Sequence, residues 1–302
     1  MTATGASVVN NAEVGVAALH TGTRVELRAS TIRGTRPRRD GRAGDGLGAQ
    51  AGATLDVRAV RVENNARNGM QITGAGTRVT LSSSLVNGGG GIGHGVEVKS
   101  GAELRADGVL AVDNNGAAFY GVYRDTRLEL EDCVARGTRG TGDKTGGALL
   151  VQDEANLRVT RALIADSAQI GVLVEGLGTR ATLVDVVVRA SGERGVYAGR
   201  GAALQAAGLL IADGRQVGLF PGGDGNRAEL ARSAARGRVP TAGWTTVSSV
   251  EAGRVDFTAR ERDERTATEP AFACDRISRT VTALRMLRVP ASSPLAVRAE
   301  DT

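Results

Sequence analysis

The 302-residue sequence reads as an all-β chain, a parallel β-helix of about nine three-strand coils followed by an irregular or partly helical C-terminal tail. Three features carry that expectation. A unit of about two dozen residues recurs from Val9 to Leu230; each unit holds three short apolar runs; no proline stands between Pro37 and Pro221. A fixed period of this length marks a solenoid. Three strand-like runs per period make it a β-helix, whose strands bond to the coils above and below and lose a donor at any interior proline.

The first run opens on a glycine: Gly15, Gly46, Gly69, Gly95, Gly121, Gly147, Gly171, Gly195 and Gly218. The pattern that follows, as in Gly171-Val172-Leu173-Val174, alternates as a half-buried strand does. The second run holds inward pairs spaced by two: Val25/Leu27, Leu55/Val57, Val79/Leu81, Ala102/Leu104, Leu128/Leu130, Leu157/Val159, Ala181/Leu183, Ala202/Leu204 and Ala228/Leu230. The third run ends at Val9, Ile32, Val62, Val86, Val112, Val134, Ile164, Val188 and Ile211. Two residues beyond these stand Asn11, Gly34, Asn64, Gly88, Asn114, Arg136, Asp166, Ala190 and Asp213. Most are types that tolerate left-handed geometry at a tight corner. Their Asn and Asp side chains are expected to stack as an internal ladder, a structural rather than a catalytic role.

Residues 1–235 are assigned to the solenoid and 236–302 to a C-terminal cap or disordered tail. Only three of the 43 glycines lie beyond Ala235 but four of the six prolines do, and the columns stop there. Within the tail, Ile277, Val281, Leu284 and Leu287 fall at helical spacing between a candidate N-cap, Asp275, and a stop at Pro290. Such a helix would plug the open solenoid end. Met1 falls just before a third-run strand, so the chain opens in mid-coil. The expectation is that a cap or leader is missing ahead of it, and that the protein works outside the cell or at its surface. No apolar run is long enough to span a bilayer.

The net charge is +5, nearly all of its positive part arginine. One cluster, Arg33, Arg36, Arg38, Arg39 and Arg42, sits in the insertion before Gly46. It reads as a solvated loop with capacity for an anion, and its lack of stacking aromatics argues against single-stranded nucleic acid. Cys133 and Cys274 match no metal spacing, and Cys133 reads as a small apolar core residue.

The repeat Gly-Val-x-Val, Gly-x-x-Leu-x-Leu, Val-x-Asn resembles that of the pectin-lyase-like superfamily over roughly residues 5 to 235. The resemblance implies a right-handed parallel β-helix. It does not imply one activity, since members include polysaccharide lyases, hydrolases, epimerases and adhesins. Gly93-His94-Gly95 matches a motif of the polygalacturonase-like hydrolases. Their paired carboxylates are missing on the preceding coil, where Gln71 and Thr73 stand, so the tripeptide reads as a glycine-rich turn. Lyase chemistry would rest on Glu97, Arg124 and Asp125, with calcium as a possible cofactor; otherwise no cofactor or metal is expected.

A binding face fits the residues better. Outward first-run positions are expected to be Gln71, Glu97, Tyr123, Leu149, Leu173, Tyr197 and Phe220, with Thr73, Lys99, Asp125, Val151 and Glu175 two residues on. Gln71, Glu97, Lys99, Tyr123, Asp125, Glu175 and Tyr197 are therefore the glycan-binding candidates, since rings beside polar groups suit sugar faces. The leading reading is a non-catalytic exported or surface-associated scaffold that interacts with a polysaccharide or cell-surface glycan. A lyase or hydrolase, and a passenger fragment of a larger adhesin, are the alternatives.

Overall fold

A computed structural model describes residues 1–88, 93–140, 146–215, 217–222, 226–237 and 249–255. It is a parallel β-solenoid of about nine coils. The first runs form a nine-stranded parallel sheet, from Val14–Leu19 and Asp45–Gln50 through Met70–Thr73, Val96–Lys99 and Ala117–Val122 to Gly147–Gln152, Ile170–Glu175, Arg194–Gly199 and Val217–Gly222. The second and third runs share an eighteen-stranded sheet. In three coils they fuse into single bent strands, Asn156–Ala165, Arg180–Arg189 and Arg227–Gly237. Between the sheets runs one aliphatic column, with Leu55, Val79, Leu104, Leu128, Leu157, Ala181 and Leu204 stacked in register.

Most first-run glycines are required by close approach rather than by backbone angle. A Cβ on Gly46, Gly69, Gly95 or Gly195 would stand 2.6–2.7 Å from the carbonyl oxygen of the next coil's residue in that column. Two of the expected positions are corrected, because Ala118 and Ala148, not Gly121 and Gly147, fall in the column. Gly121 points inward between Val98 and Val151, where a Cβ would run into Leu128, and Gly147 precedes the column by one residue. The outward residues of these coils are consequently Tyr120 and Leu150, not Tyr123 and Leu149. In the second run the inward pairs are Leu104/Ala106 and Leu204/Ala206, two residues beyond the expected ones.

The third-run column likewise passes through Val8, Ala111 and Ala135, not Val9, Val112 and Val134. Its corners therefore lie at Asn10, Asp113 and Gly137 instead of Asn11, Asn114 and Arg136. With these replacements, every corner except Gly88 has a positive φ, between 52° and 68°. The internal column lies one residue further on, where Thr35, Asn65, Asn114, Thr138, Ser167 and Ser191 are buried. It is not a continuous ladder. Asn65 Oδ1 accepts the Thr35 N–H, whereas neither carboxamide atom of Asn114 has a partner among the described residues.

A second left-handed corner divides the second run from the third: Ala29, Ala59, Ser83, Gly108, Asp132, Arg161, Asp185, Gly208 and Arg232, all at positive φ. Only two are glycine. Each corner is fixed by stacking, as where Ala59 N–H bonds Ser82 O and Ser83 N–H bonds Asp107 O.

The coils also pair, a feature the single-coil period conceals. At the first-to-second-run turn Thr23, Thr77, Thr126, Thr179 and Asn226 alternate with Ala53, Ala102, Ala155 and Ala202. Each threonine hydroxyl from Thr77 onward donates to a carbonyl four residues back and accepts an N–H from the alanine coil before it. For Thr77 the partners are Thr73 O at 2.9 Å and Gly52 N at 2.9 Å. Thr126 and Thr179 repeat the arrangement, and Asn226 reproduces it with its carboxamide. The next corner alternates in part: Ser30, Ser84 and Ser233 each bridge two coils, while Val186 interrupts the series. Thr77→Val should therefore strand the Gly52 N–H, leave Thr73 O with the Ala51 N–H alone, and destabilise the protein by about 1–3 kcal/mol. Thr80→Val, on the exposed face, should stay within about 0.5 kcal/mol, with denaturant midpoints as the comparison.

At the C-terminal end Ser249–Val255 pairs antiparallel with Arg227–Gly237 and breaks the parallel stacking. The helix expected at 275–288 and Cys274 lie outside the described residues. Among the described residues no helix is long and apolar enough to cross a membrane.

Candidate functional site

The outer face of the nine-stranded sheet carries three rows of side chains. At the edge where the longest loops enter stand Asp45, Asn68 and His94, then Ala117, Ile170 and Arg194. The middle row is Gln71, Glu97, Tyr120, Leu150, Leu173, Tyr197 and Phe220. The third is Gln50, Thr73, Lys99, Val122, Gln152, Glu175, Gly199 and Gly222.

The first half of the face is a closed polar network. Asp45, nearly buried, is clamped by both arms of the Arg67 guanidinium and accepts the Asn68 N–H at 3.1 Å. Asn68 Oδ1 accepts the His94 N–H at 2.8 Å, and His94 Nδ1 accepts the Ala117 N–H at 3.0 Å. Each edge side chain thus caps the backbone of the following coil. This bond sets His94 as the tautomer with its proton on Nε2, since a proton on Nδ1 would face another donor.

Glu97 is the centre of the network. Its Oε2 accepts from Asn68 Nδ2 at 2.9 Å and Gln71 Nε2 at 3.0 Å, and Lys99 Nζ holds Oε1 at 3.0 Å. Burial alone would raise its pKa, but the bonds from Gln71 and Lys99 and the lysine charge outweigh that and hold it below the usual carboxylate value. Arg67 is pushed up, first by its bond to Asp45. Tyr120, packed on the His94 ring at 4.6 Å, is pushed up to about 12, first by burial and then by Glu97.

Of the residues singled out from sequence, the structure brings Gln71, Glu97 and Lys99 together. Tyr123, Arg124 and Asp125 lie on the exposed turn beyond the Ala117–Val122 strand, where Arg124 pairs with Glu154 at 2.7 Å. Glu175 stands in the third row, bonded to Gln152 at 2.7 Å and paired with Arg200 at 3.2 Å. Tyr197 lies in the middle row beside Phe220, their centroids 5.7 Å apart. Asp45, Asn68 and His94 escaped the sequence reading as a set, although each directly precedes a glycine of the first-run column. Among the described residues, both carboxylate oxygens of Asp45 and both of Glu97 accept from protein donors.

Between the polar and aromatic halves, Ala117, Leu150, Ile170 and Leu173 form a small buried cluster on the outer face, flanked by Tyr120 and Tyr197. The arginine-rich insertion forms an ordered turn near Arg67. Arg38 pairs with Glu13 at 3.0 Å, Arg36 donates to Asn10 O, and Gly44 O accepts the Arg67 N–H.

Neither a family model nor a curated protein matches this sequence. Among solved structures the chain is similar to pectate lyase Pel9A at a TM-score of 0.55 and 10% identity, over 77% of this chain and 66% of that one. A periplasmic alginate epimerase, AlgG, is similar at a TM-score of 0.45 and 10% identity, over 68% of this chain and 58% of that one. The chain thus spans less than two thirds of either protein's length. The fold is a parallel β-helix, as in pectate lyase Pel9A; identity this low carries the fold and no activity.

Proposed function

We propose that this protein is a non-catalytic β-helix scaffold, exported or surface-associated, that binds glycan along the outer face of its nine-stranded sheet. The observation that carries the reading is the state of Glu97. A general acid near neutral pH needs a raised pKa, and a nucleophile or base needs an accessible lone pair. Glu97 is instead held ionised, with both oxygens bonded to neighbours. Arg124 and Asp125, which would have to join it in a lyase, lie on a turn and do not meet it in any bond. What remains is a face with amide, ammonium and guanidinium groups at one end and two aromatic rings at the other, joined by an apolar strip, a composition suited to sugars.

Purified full-length protein should bind at least one polysaccharide on a glycan array and release no unsaturated or reducing-end product from polygalacturonate or alginate, with or without calcium. Product formation abolished by Glu97→Gln would establish the lyase reading instead. Silence in both assays would remove the glycan reading.

A further inference from the structure

We infer that Tyr197, Phe220 and Arg194 form a stacking subsite for a sugar ring that carries an anionic group; this rests on the glycan reading above. The Tyr197 ring lies flat on the sheet. A Cβ on Gly199 would stand 2.5 Å from its Cε1 and Cζ, and one on Gly222 would stand 2.7 Å from its Cε2. The ring therefore bridges two coils and rests on two glycines, with opposite edges above successive strands. Phe220 continues the surface: its Cε1 would lie 2.9 Å from a Gly222 Cβ, and the two ring planes differ by only 18°. In the other described coils this third-row position carries a side chain, from Gln50 to Glu175. The glycines are thus confined to the two strands that bear the rings.

The charge supplies the second half of the inference. The Arg194 guanidinium carbon lies 5.2 Å from the Tyr197 centroid and 4.9 Å from that of Phe220. Arg194 is half-buried and has no ion-pair partner among the described residues, unlike Arg67, Arg124, Arg161 and Arg200. A guanidinium stacked on two rings keeps its in-plane N–H donors for a ligand, and its fork matches a carboxylate or sulfate. A pyranose has apolar C–H faces and polar edges. Laid on the rings, it would present an anionic substituent to Arg194.

The test is calorimetric titration of the full chain with sodium polygalacturonate, sodium alginate and neutral cellohexaose. At least one anionic glycan should bind more tightly than cellohexaose. Tyr197→Leu should weaken it about tenfold, equivalent to about 1.4 kcal/mol. Gly199→Ala should match that loss by lifting the ring, and Arg194→Gln should remove the preference for the anionic probes. Because Gly199→Ala bears on the strand, circular dichroism must show it folded; Arg194→Gln leaves both glycines and both rings in place and carries the test if it is not. Binding that survives all three substitutions would overturn the subsite and leave the glycan reading standing. Equal affinity for cellohexaose would overturn the anionic assignment. No binding of either anionic probe by the unsubstituted protein would overturn the subsite, whereas the glycan reading falls with silence on the array.

Discussion

Phe119→Ala is expected to destabilise the protein by about 3–5 kcal/mol, the range for emptying a buried aromatic site. Phe119 is 1% exposed and heads the fully buried side chains by volume. The core around it is fitted to its size. In the preceding and the same coil the third-run inward positions shrink to Ala111 and Ala135, where neighbouring coils carry Val86 and Ile164. Two residues along its own strand, Gly121 replaces the valines that flank it in adjacent coils. These small residues cannot close over a cavity, so the deletion should leave one. Phe119→Leu, which keeps most of the volume, should cost less than half as much. Because a solenoid coil contacts only its neighbours, the loss should also appear as earlier exchange of the amides in the Val96–Lys99, Ala117–Val122 and Gly147–Gln152 strands. Uniform loosening of all nine coils would count against a locally fitted core.

The same residue explains where the sequence was hardest to read. Gly121-Val122-Tyr123 imitates the Gly95-Val96-Glu97 pattern, yet its glycine is there to make room for Leu128. Mistaking the one glycine for the other moves every later residue of the strand and places Tyr123 and Asp125 on a face they do not share. The second-run column was legible in all but two coils because it is set by period-two burial; it slipped where Ala102 and Ala202, buried at the turn, extend the same alternation by two residues. The left-handed corner at Ala29, Ala59 and Ser83 was not, since its geometry is enforced by bonds between stacked coils and leaves no glycine signature. The Glu97 network was half legible. Gln71, Glu97 and Lys99 declare themselves by alternation, whereas Asp45, Asn68 and His94 become neighbours only through loops of unequal length.

Between about pH 9 and pH 12 the fold should lose stability, and Cys133 should be the main cause. Burial pushes its thiol from an ordinary 9.0 up to about 12, and the half-buried Tyr120 phenol moves from 10.0 to about 12. Both groups are neutral when protonated, so a raised pKa means that the folded state keeps a proton the unfolded chain releases. Their contribution is intact below pH 9, falls as the unfolded chain ionises, and is lost once the pH passes the folded value near 12. For the thiol the effect is on the order of 4 kcal/mol; solvent at the phenol makes its share smaller. Cys133 occupies the corner position that Ser30, Ser84 and Ser233 fill elsewhere, and its Sγ reaches Glu131 O at 3.2 Å as the serine hydroxyls reach their own carbonyls. Cys133→Ser should therefore fold normally at pH 7, within about 1 kcal/mol of the parent, while unfolding less readily at pH 10.5. The comparison is one of urea midpoints at the two pH values. An equal alkaline loss in parent and variant would show that the buried thiol does not set the upper pH limit. Addition of Tyr120→Phe to Cys133→Ser should remove most of what remains, which separates the phenol on the outer face of the nine-stranded sheet from the thiol in the corner.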